Sequence, residues 1–338
     1  MNKRIKMAAG AGIAALALAV TGGGYYFFHV RNDTPNFAIK TIQQSVKEHD
    51  TKTFHRVVDV DSVLDSGYDG FVEGVISSGT ALTPDAKEAL KNFTQVLRAP
   101  LIMSLKSAID SYVATGDLKP EENGGVNELL EKTGLNDAEI RDVKNIQIND
   151  ADKNEAFADL IIYQPELDGE FPIHLVLSRD EDKNWKLNRV QNFQEYVEQV
   201  TQARRAKLDE YLAQAGAVNT RHDTVIREAD QKYGAILAVG SLGQDNTRAE
   251  LKTLLNDVFK KDWEERKQEL FSLRVPKDAE PLHNLFMQIC DLSIAAVNDY
   301  SKWMDDKNSA TIKSAEEKIH QSQALMAEAI ALAKRLNG

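Results

Sequence analysis

The residues of this chain that could carry chemistry are few, and the closest group of them lies near its start. His49, His55, Asp59 and Asp61 fall within thirteen positions. Imidazole and carboxylate groups bind metal ions and transfer protons. The spacing of a zinc motif such as H-E-x-x-H is absent, however. The pattern therefore favours capping and solvated side chains around a helix junction, and it marks the residues to test first if the protein were an enzyme.

A run of acids continues from this group. Asp59, Asp61, Asp65, Asp69 and Glu73 recur at short intervals, as acids do in a calcium loop. An EF-hand needs a different order of ligands and a glycine at its sixth position. We therefore predict a solvated acidic stretch and no calcium site.

Two other candidate groups stand alone in the sequence. His222-Asp223 resembles the dipeptide of metal phosphohydrolases, but the further histidines of such a site are missing, and a solvated helix face explains it better. Cys290 lies in an apolar part of a helical pattern, where a buried, inert thiol is expected. G-x-S-x-G is absent, and Gly22-Gly23-Gly24 lacks the strand, helix and lysine of a phosphate loop. We predict no catalytic, cofactor-binding or metal-ligating residue, and no cofactor.

Aromatic side chains within helical patterns are expected to pack. Asn92-Phe93-Thr94 is a formal glycosylation sequon inside a helical stripe, so packing is the predicted role of Phe93. Trp263, Tyr300 and Trp303 are predicted to be core aromatics and not ligand-stacking residues.

The first thirty residues have the composition of a membrane anchor. Lys3, Arg4 and Lys6 precede an uncharged stretch, Met7 to Val30. A helix over most of it would span roughly 33 Å, enough for a hydrocarbon core of about 30 Å. The positive-inside bias predicts a single-pass cell-membrane protein with a cytoplasmic N-terminus, residues 7–30 in the lipid bilayer, and an extracytoplasmic remainder. A cleaved secretory signal is the alternative, because Ala15-Leu16-Ala17 is a small-x-small triplet.

Composition limits the partners of the exported part. One cysteine makes no internal disulfide, so core packing must hold the fold together, as in a bacterial envelope protein. The formal charge of −11 would repel phosphate backbones, so nucleic acid is not an expected partner. The length predicts two domains beyond the anchor.

Helical spacing dominates the first part of the exported chain. The pattern predicts a first helix over residues 33–50 with Thr34-Pro35 at its start, and a short second helix near Phe54. A break is predicted over residues 65–70, where two glycines occur, followed by helices over residues 71–76, 84–113 and 126–132.

The period then changes from about 3.6 to 2, which indicates strands. Four short strands are predicted over residues 143–148, 156–163, 171–177 and 185–190, with polar turns at residues 149–152, 167–170 and 179–182. Hairpin connections make the sheet antiparallel, and the preceding helices are available to cover one face. The residues predicted to point inward are Val143, Ile146, Ile148, Leu160, Ile162 and Val176.

Helical spacing returns after residue 190 and continues to the end. Long helices joined by short connections predict an antiparallel bundle. The expected organisation is an anchor (residues 1–31), an α+β domain of a helix-covered four-stranded antiparallel sheet with a helical insertion (residues 32–195), and an all-α helical bundle (residues 196–338).

Two stretches carry a resemblance. The segment from Thr34-Pro35 to Asp61 resembles the opening of a family of membrane-anchored bacterial domains of unknown function. The segment Asp182 to Val190, an acidic turn followed by Trp185 and Lys186, is similar to that of nuclear-transport-factor-2-like exported domains. The resemblance covers about residues 34–195 and implies a curved antiparallel sheet wrapped by helices into a cone. The helical region over residues 71–132 departs from that pattern and would fill or cover the cone.

Two classes of function follow. The first is an extracytoplasmic binding or scaffold protein of the bacterial cell envelope, whose partner is an envelope protein or another ligand. The bundle and the acidic stretch near Asp59 to Asp69 are then the expected contact surfaces. The alternative is a pocket enzyme of hydrolase or isomerase type, since the cone fold hosts such enzymes, although fold alone does not decide function. The mostly apolar inward residues favour binding.

Overall fold

The first helix begins where Thr34 and Pro35 predict it. The Thr34 hydroxyl accepts a hydrogen bond from the Phe37 amide at 3.2 Å, and Pro35 lies in the first turn, where its missing amide hydrogen is not needed. Asp50 caps the next helix in the same way, through a 3.0 Å bond from the Thr53 amide.

The computed structural model describes residues 34–78, 83–116, 131, 133–135 and 138–337. The predicted anchor, and almost all of the predicted helix over residues 126–132, lie outside these residues. Within the described residues, no helix is both long and apolar enough to cross a membrane. The helices before the sheet are α1 (Pro35–Lys47), α2 (Thr51–Val57), α3 (Val60–Ser78) and α4 (Pro84–Thr115).

The break predicted over residues 65–70 is wrong, because α3 runs through it without interruption. Gly70 in that stretch, and Gly74 one turn later, serve helix packing instead of a turn. A Cβ atom added at Gly70 would lie 2.9 Å from Phe193 Cβ, and one at Gly74 would lie 2.8 Å from Val197 Cβ. The absence of side chains at Gly70 and Gly74 therefore lets α3 approach its neighbour closely.

The predicted four-stranded antiparallel sheet is confirmed, in an α+β fold. Consecutive strands pair in the order β1-β2-β3-β4. The strands are β1 (Glu139–Ile148), β2 (Glu155–Gln164), β3 (Gly169–Arg179) and β4 (Trp185–Val190). Val58, between α2 and α3, forms a parallel bridge with Leu187 of the edge strand β4.

The inner face of the sheet is packed without solvent exposure at its centre. Leu160 and Ile162 are completely buried, as predicted, and Val143 and Ile146 pack against the same core. Of the other two inward assignments, that of Val176 is wrong, and Ile148 lies opposite the buried Ala156 without being buried itself. Ile148 is 41% exposed at the strand end. Val176 is buried but lies outside this core, because its partner in β2 is Phe157, on the opposite face from Leu160.

The chain divides into two compact units, the first ending at Arg204 and the second beginning at Arg205. The division falls within one helix, α5 (Phe193–Val239). The first unit thus contains the sheet and the helices before it.

The second unit is helical throughout its described residues. After α5 come α6 (Asp245–Leu254), a π-helical turn (Leu255–Lys260), α7 (Lys261–Phe271), a 3₁₀ turn (Lys277–Ala279), α8 (Glu280–Asp306) and α9 (Ser309–Leu336). The last two helices form an antiparallel hairpin. Ser293 faces Ser322, with 3.1 Å between their hydroxyl oxygens, and Asp299 accepts a hydrogen bond from Ser314 at 2.7 Å.

Candidate functional site

The two histidines near the start of the chain have separate partners. His49 has a left-handed backbone with φ of 59°, and its Nδ1 donates to the Val113 carbonyl at 3.0 Å. His55 Nε2 lies 2.8 Å from Asp110 Oδ1. Both contacts join α4 to the segment before it, so they explain these imidazoles as exposed hydrogen-bonding groups with a structural role.

The two acids of the same group also have separate partners. Asp59 accepts hydrogen bonds from the Ser62 amide and hydroxyl at 3.2 and 2.8 Å, at the start of α3. Asp61 pairs with Lys106 Nζ at 2.5 Å. The structure therefore does not bring His49, His55, Asp59 and Asp61 to one point.

The acidic run forms an ordered row of ion pairs on α3. Its four members from Asp61 to Glu73 recur every four residues, so they lie on one helix face. Each pairs with a cation of α4: Asp61 with Lys106, Asp65 and Asp69 with Arg98, and Glu73 with Lys91. Hydrogen bonds to Asp69 and Asp65 raise the pKa of the Arg98 guanidinium. The acids thus hold α4 against α3 and do not converge as calcium ligands would.

The opposite face of α4 exposes apolar side chains. Phe93 is 60% exposed, Val96 76% and Met103 71%. The packing predicted for Phe93 is therefore wrong. In this helix no residue before Leu105 is buried, and its cations Lys91, Arg98 and Lys106 pair with acids of α3. We call the exposed row Ala89, Phe93, Val96, Pro100, Met103 and Ser107 the α4 stripe.

Sequence reasoning missed a histidine–carboxylate pair on the outer face of the sheet. His174 Nδ1 donates to Asp159 Oδ1 at 2.7 Å, and Asn145 Nδ2 donates to Asp159 Oδ2 at 2.6 Å. Asn145 has a positive φ of 54°, at an irregularity in the pairing of β1. Such an arrangement orients an imidazole as a general base requires, and it is equally a cross-strand ion pair on a polar face.

The register of one hairpin brings this pair together. Asp159 lies opposite His174, with the turn between β2 and β3 at residues 165–168. The turn predicted at residues 167–170 would place Asp159 opposite Ser178 instead. In the sequence, Asp159 and His174 each alternate with buried apolar residues. This alternation predicts that both side chains lie on the outer face of the sheet, but it does not predict that they lie opposite each other.

A second missed group lies buried in the helical unit. His222 Nδ1 lies 2.7 Å from Asp262 Oδ1, and the side chains of His222, Asp262 and Arg266 are only 4–5% exposed. The solvated face predicted for His222 is wrong. His222 follows Val218 by four residues and precedes Ile226 by four, so it continues the packed stripe of α5. That spacing was a signal for burial.

The buried group is bounded by further charges. Arg266 Nη2 lies 2.8 Å from Asp223 Oδ1. The guanidinium carbon of Arg266 lies 4.2 Å from the Trp263 ring centroid. His222 Nε2 lies 3.5 Å from Glu269 Oε1. The π-helical turn ends at Lys260, two residues before Asp262.

Cys290 is buried, as predicted. Burial raises the pKa of its thiol to about 11, so the reactive thiolate is suppressed near neutral pH. Trp263 belongs to the same core, and Tyr300 and Trp303 pack against it, which agrees with their predicted role. Among the described residues, no group of three or more histidine, cysteine, aspartate or glutamate side chains could hold a metal ion.

An open groove of about 520 Å³ lies on the helical unit. Its floor is apolar, and its rim carries two acids and one lysine. The lining residues are Lys232, Ala235, Ile236, Glu250, Thr253, Leu254, Asp257 and Val258.

Comparison with known proteins identifies no relative. No protein-family model, curated protein or solved structure matches this chain.

Proposed function

We propose that this protein is a binding protein of a bacterial cell envelope, held in the membrane by residues 7–30 with its N-terminus in the cytoplasm. The exported part recognises a partner through its surface. The cations before residue 7 and the uncharged stretch after them support the anchor. The resemblance to nuclear-transport-factor-2-like domains, over residues 34–195, is part of the same proposal.

The observation that carries a binding function is the exposed α4 stripe. Three large apolar side chains on one helix face are each more than half exposed. On the other face of the same helix, Arg98 pairs with an acid of α3. Exposed apolar residues scattered singly are normal, but a contiguous row marks an interaction site. We therefore place the partner on the α4 stripe, in addition to the bundle and the acidic row considered from the sequence.

The inner face of the sheet supports binding over pocket catalysis. Ala156, Ala158, Leu160 and Ile162 are completely buried against the helices. In a cone-shaped fold this is the face that would line a pocket. Apolar packing occupies it here, so a partner is better accommodated on the outside of the molecule.

The test is crosslinking in intact cells. A photoreactive amino acid placed at Val96 should capture a partner, and the same residue at Gln95 should capture much less. Gln95 is also exposed, but it lies on the same helix about 120° away from the stripe. Equal capture at both positions, or none at Val96, would contradict a binding role for the stripe.

The anchor has its own test. Protease added outside cells with permeabilised outer layers should digest the exported part, while the intact protein fractionates with membranes. A soluble product with a mature N-terminus near Gly22 would establish the cleaved signal instead.

The pocket-enzyme alternative is favoured by one observation, the His174–Asp159–Asn145 group. Asn145 and His174 each donate a hydrogen bond to one carboxylate oxygen of Asp159. In enzymes, a third group often orients a catalytic base in this way. Replacing His174 with glutamine should leave a cellular phenotype intact if the function is binding through α4. Loss of function in a folded, correctly localised His174→Gln protein would support the enzyme.

A further inference from the structure

The α4 stripe has a spacing that is the same in both directions along the helix. From Ala89 to Ser107 the steps between its residues are four, three, four, three and four. This alternation keeps the row on one face and matches the seam of a coiled coil. The stripe can therefore face a second helix over its full length.

The residue types are also symmetric about the centre of the stripe, near residue 98. Small residues stand at the two ends, Phe93 and Met103 stand next to them, and Val96 and Pro100 stand in the middle. If a second α4 runs antiparallel, Phe93 meets Met103 of the other copy and Val96 meets Pro100. Sulfur and aromatic groups make favourable contacts, and this arrangement is the self-complementary interface of a two-fold dimer.

Charge supports the same occupant. From Ala89 to Ile109 the helix carries no acid. Its cations Lys91, Arg98 and Lys106 are each paired with acids of α3. Two copies of a chain with formal charge −11 repel one another in general, and this neutral face lets them meet without facing like charges. An anionic lipid surface, in contrast, would find these cations already paired.

We propose that the α4 stripe is a homodimer seam, in which two copies pair through antiparallel α4 helices. This inference rests on the proposed binding function and names the partner. The seam is a single helix face, so association is weak and reversible in solution. Copies held in one membrane by residues 7–30 meet at a higher effective concentration, which favours the dimer.

The test compares two substitutions in the full-length protein in detergent. Light scattering at increasing concentration should show a reversible monomer–dimer equilibrium for the unmodified chain. Val96→Asp should raise the dissociation constant at least tenfold, because it places a carboxylate in the seam. Gln95→Asp adds the same charge outside the seam and should leave the constant nearly unchanged. Circular dichroism should be the same for all three proteins, since both positions are exposed.

Crosslinking gives a second measurement. Val96→Cys should form a covalent dimer with a short bismaleimide, whereas Gln95→Cys should form little. Cys290 is buried and does not compete, because its thiol stays protonated.

The outcomes separate this inference from the proposed function. A monomer at every concentration, or an equal effect of Val96→Asp and Gln95→Asp, overturns the seam. If the photoreactive residue at Val96 then captures another envelope protein or lipid, the binding function stands and only the homodimer is wrong. If the protein is monomeric and the photoreactive residue at Val96 also captures nothing, both the homodimer and the binding function of the α4 stripe are overturned.

Discussion

A buried group of ionisable side chains is the main feature of this protein at the scale of single residues. His222, Asp262 and Arg266 lie together in the helical unit, each almost fully removed from solvent. Burying a charge is costly unless it is paired, so such a group contributes little net stability while it is complete. Removing only one member of the group leaves a buried charge without one of its partners.

We predict that His222→Ala destabilises the protein by about 3–5 kcal/mol, because Asp262 then remains buried without its 2.7 Å partner. Replacing all three residues with apolar side chains of similar size (His222→Leu, Asp262→Leu, Arg266→Met) should be neutral or stabilising. Urea unfolding of the full-length protein measures both. A small loss in the single variant together with a large loss in the triple variant would contradict this account.

Cys290 predicts a pH dependence of stability. Its folded-state pKa of about 11 lies above the ordinary value of 9.0, so the folded protein keeps a proton that the unfolded chain loses. This contribution is fully present below pH 9 and is lost as the pH rises toward 11, by an amount on the order of 2 kcal/mol.

The comparison with Cys290→Ala isolates this contribution, because lysines and tyrosines titrate in the same range in both proteins. The free energy of unfolding should fall more steeply between pH 9 and 11 in the unmodified chain than in the variant. Parallel curves would show that the thiol is not buried as described.

At the scale of elements, close helix packing explains two glycines of α3, Gly70 and Gly74. We predict that Gly74→Ala destabilises the protein by about 1–3 kcal/mol, because the new methyl group would lie 2.8 Å from Val197 Cβ. Gly67→Ala is the matched control in the same helix. Nothing lies within 4 Å of its added Cβ, so alanine should be neutral or stabilise by about 0.5–1 kcal/mol through helix propensity. Thermal unfolding compares the two, and an equal effect would mean that α3 is not held close to α5 at Gly74.

The α4 helix shows where local patterns mislead. Its existence and its Thr83 cap follow from the sequence, and the Ala86 amide does donate to Thr83 Oγ1 at 3.3 Å. Phe93 and Val96 form an apolar stripe and were expected to be inside. They are outside because the cations of α4 pair with the acids of α3 on the other face, and that choice depends on residues far away in sequence.

At the scale of the whole molecule, the boundary between the two units lies within α5, at Arg204 and Arg205. We predict that a fragment from Ala203 to Gly338 is largely helical and unfolds cooperatively, because its core is formed by its own residues. Circular dichroism with thermal unfolding measures this. A featureless spectrum, or a gradual transition without a midpoint, would show that the helical unit depends on the sheet.

The strands and most helices could be predicted because their signals are local. Thr34-Pro35 marked the start of the first helix, and the Thr34 hydroxyl accepts an amide hydrogen bond there. The alternation within β2 gave the buried face of Leu160 and Ile162 correctly. The membrane anchor over residues 7–30 is a prediction of the same local kind and awaits its test.

The sequence by itself determined the order of helices and strands, the apolar face of β2, and that Cys290 is buried, since these depend on neighbours within a few turns or strand residues. Only the tertiary structure decided that His174 meets Asp159, that His222 meets Asp262, and that the α4 stripe stays exposed. Each of these depends on a register or a helix pairing between distant segments. Many registers satisfy the same local pattern, and the packing of the complete core selects one.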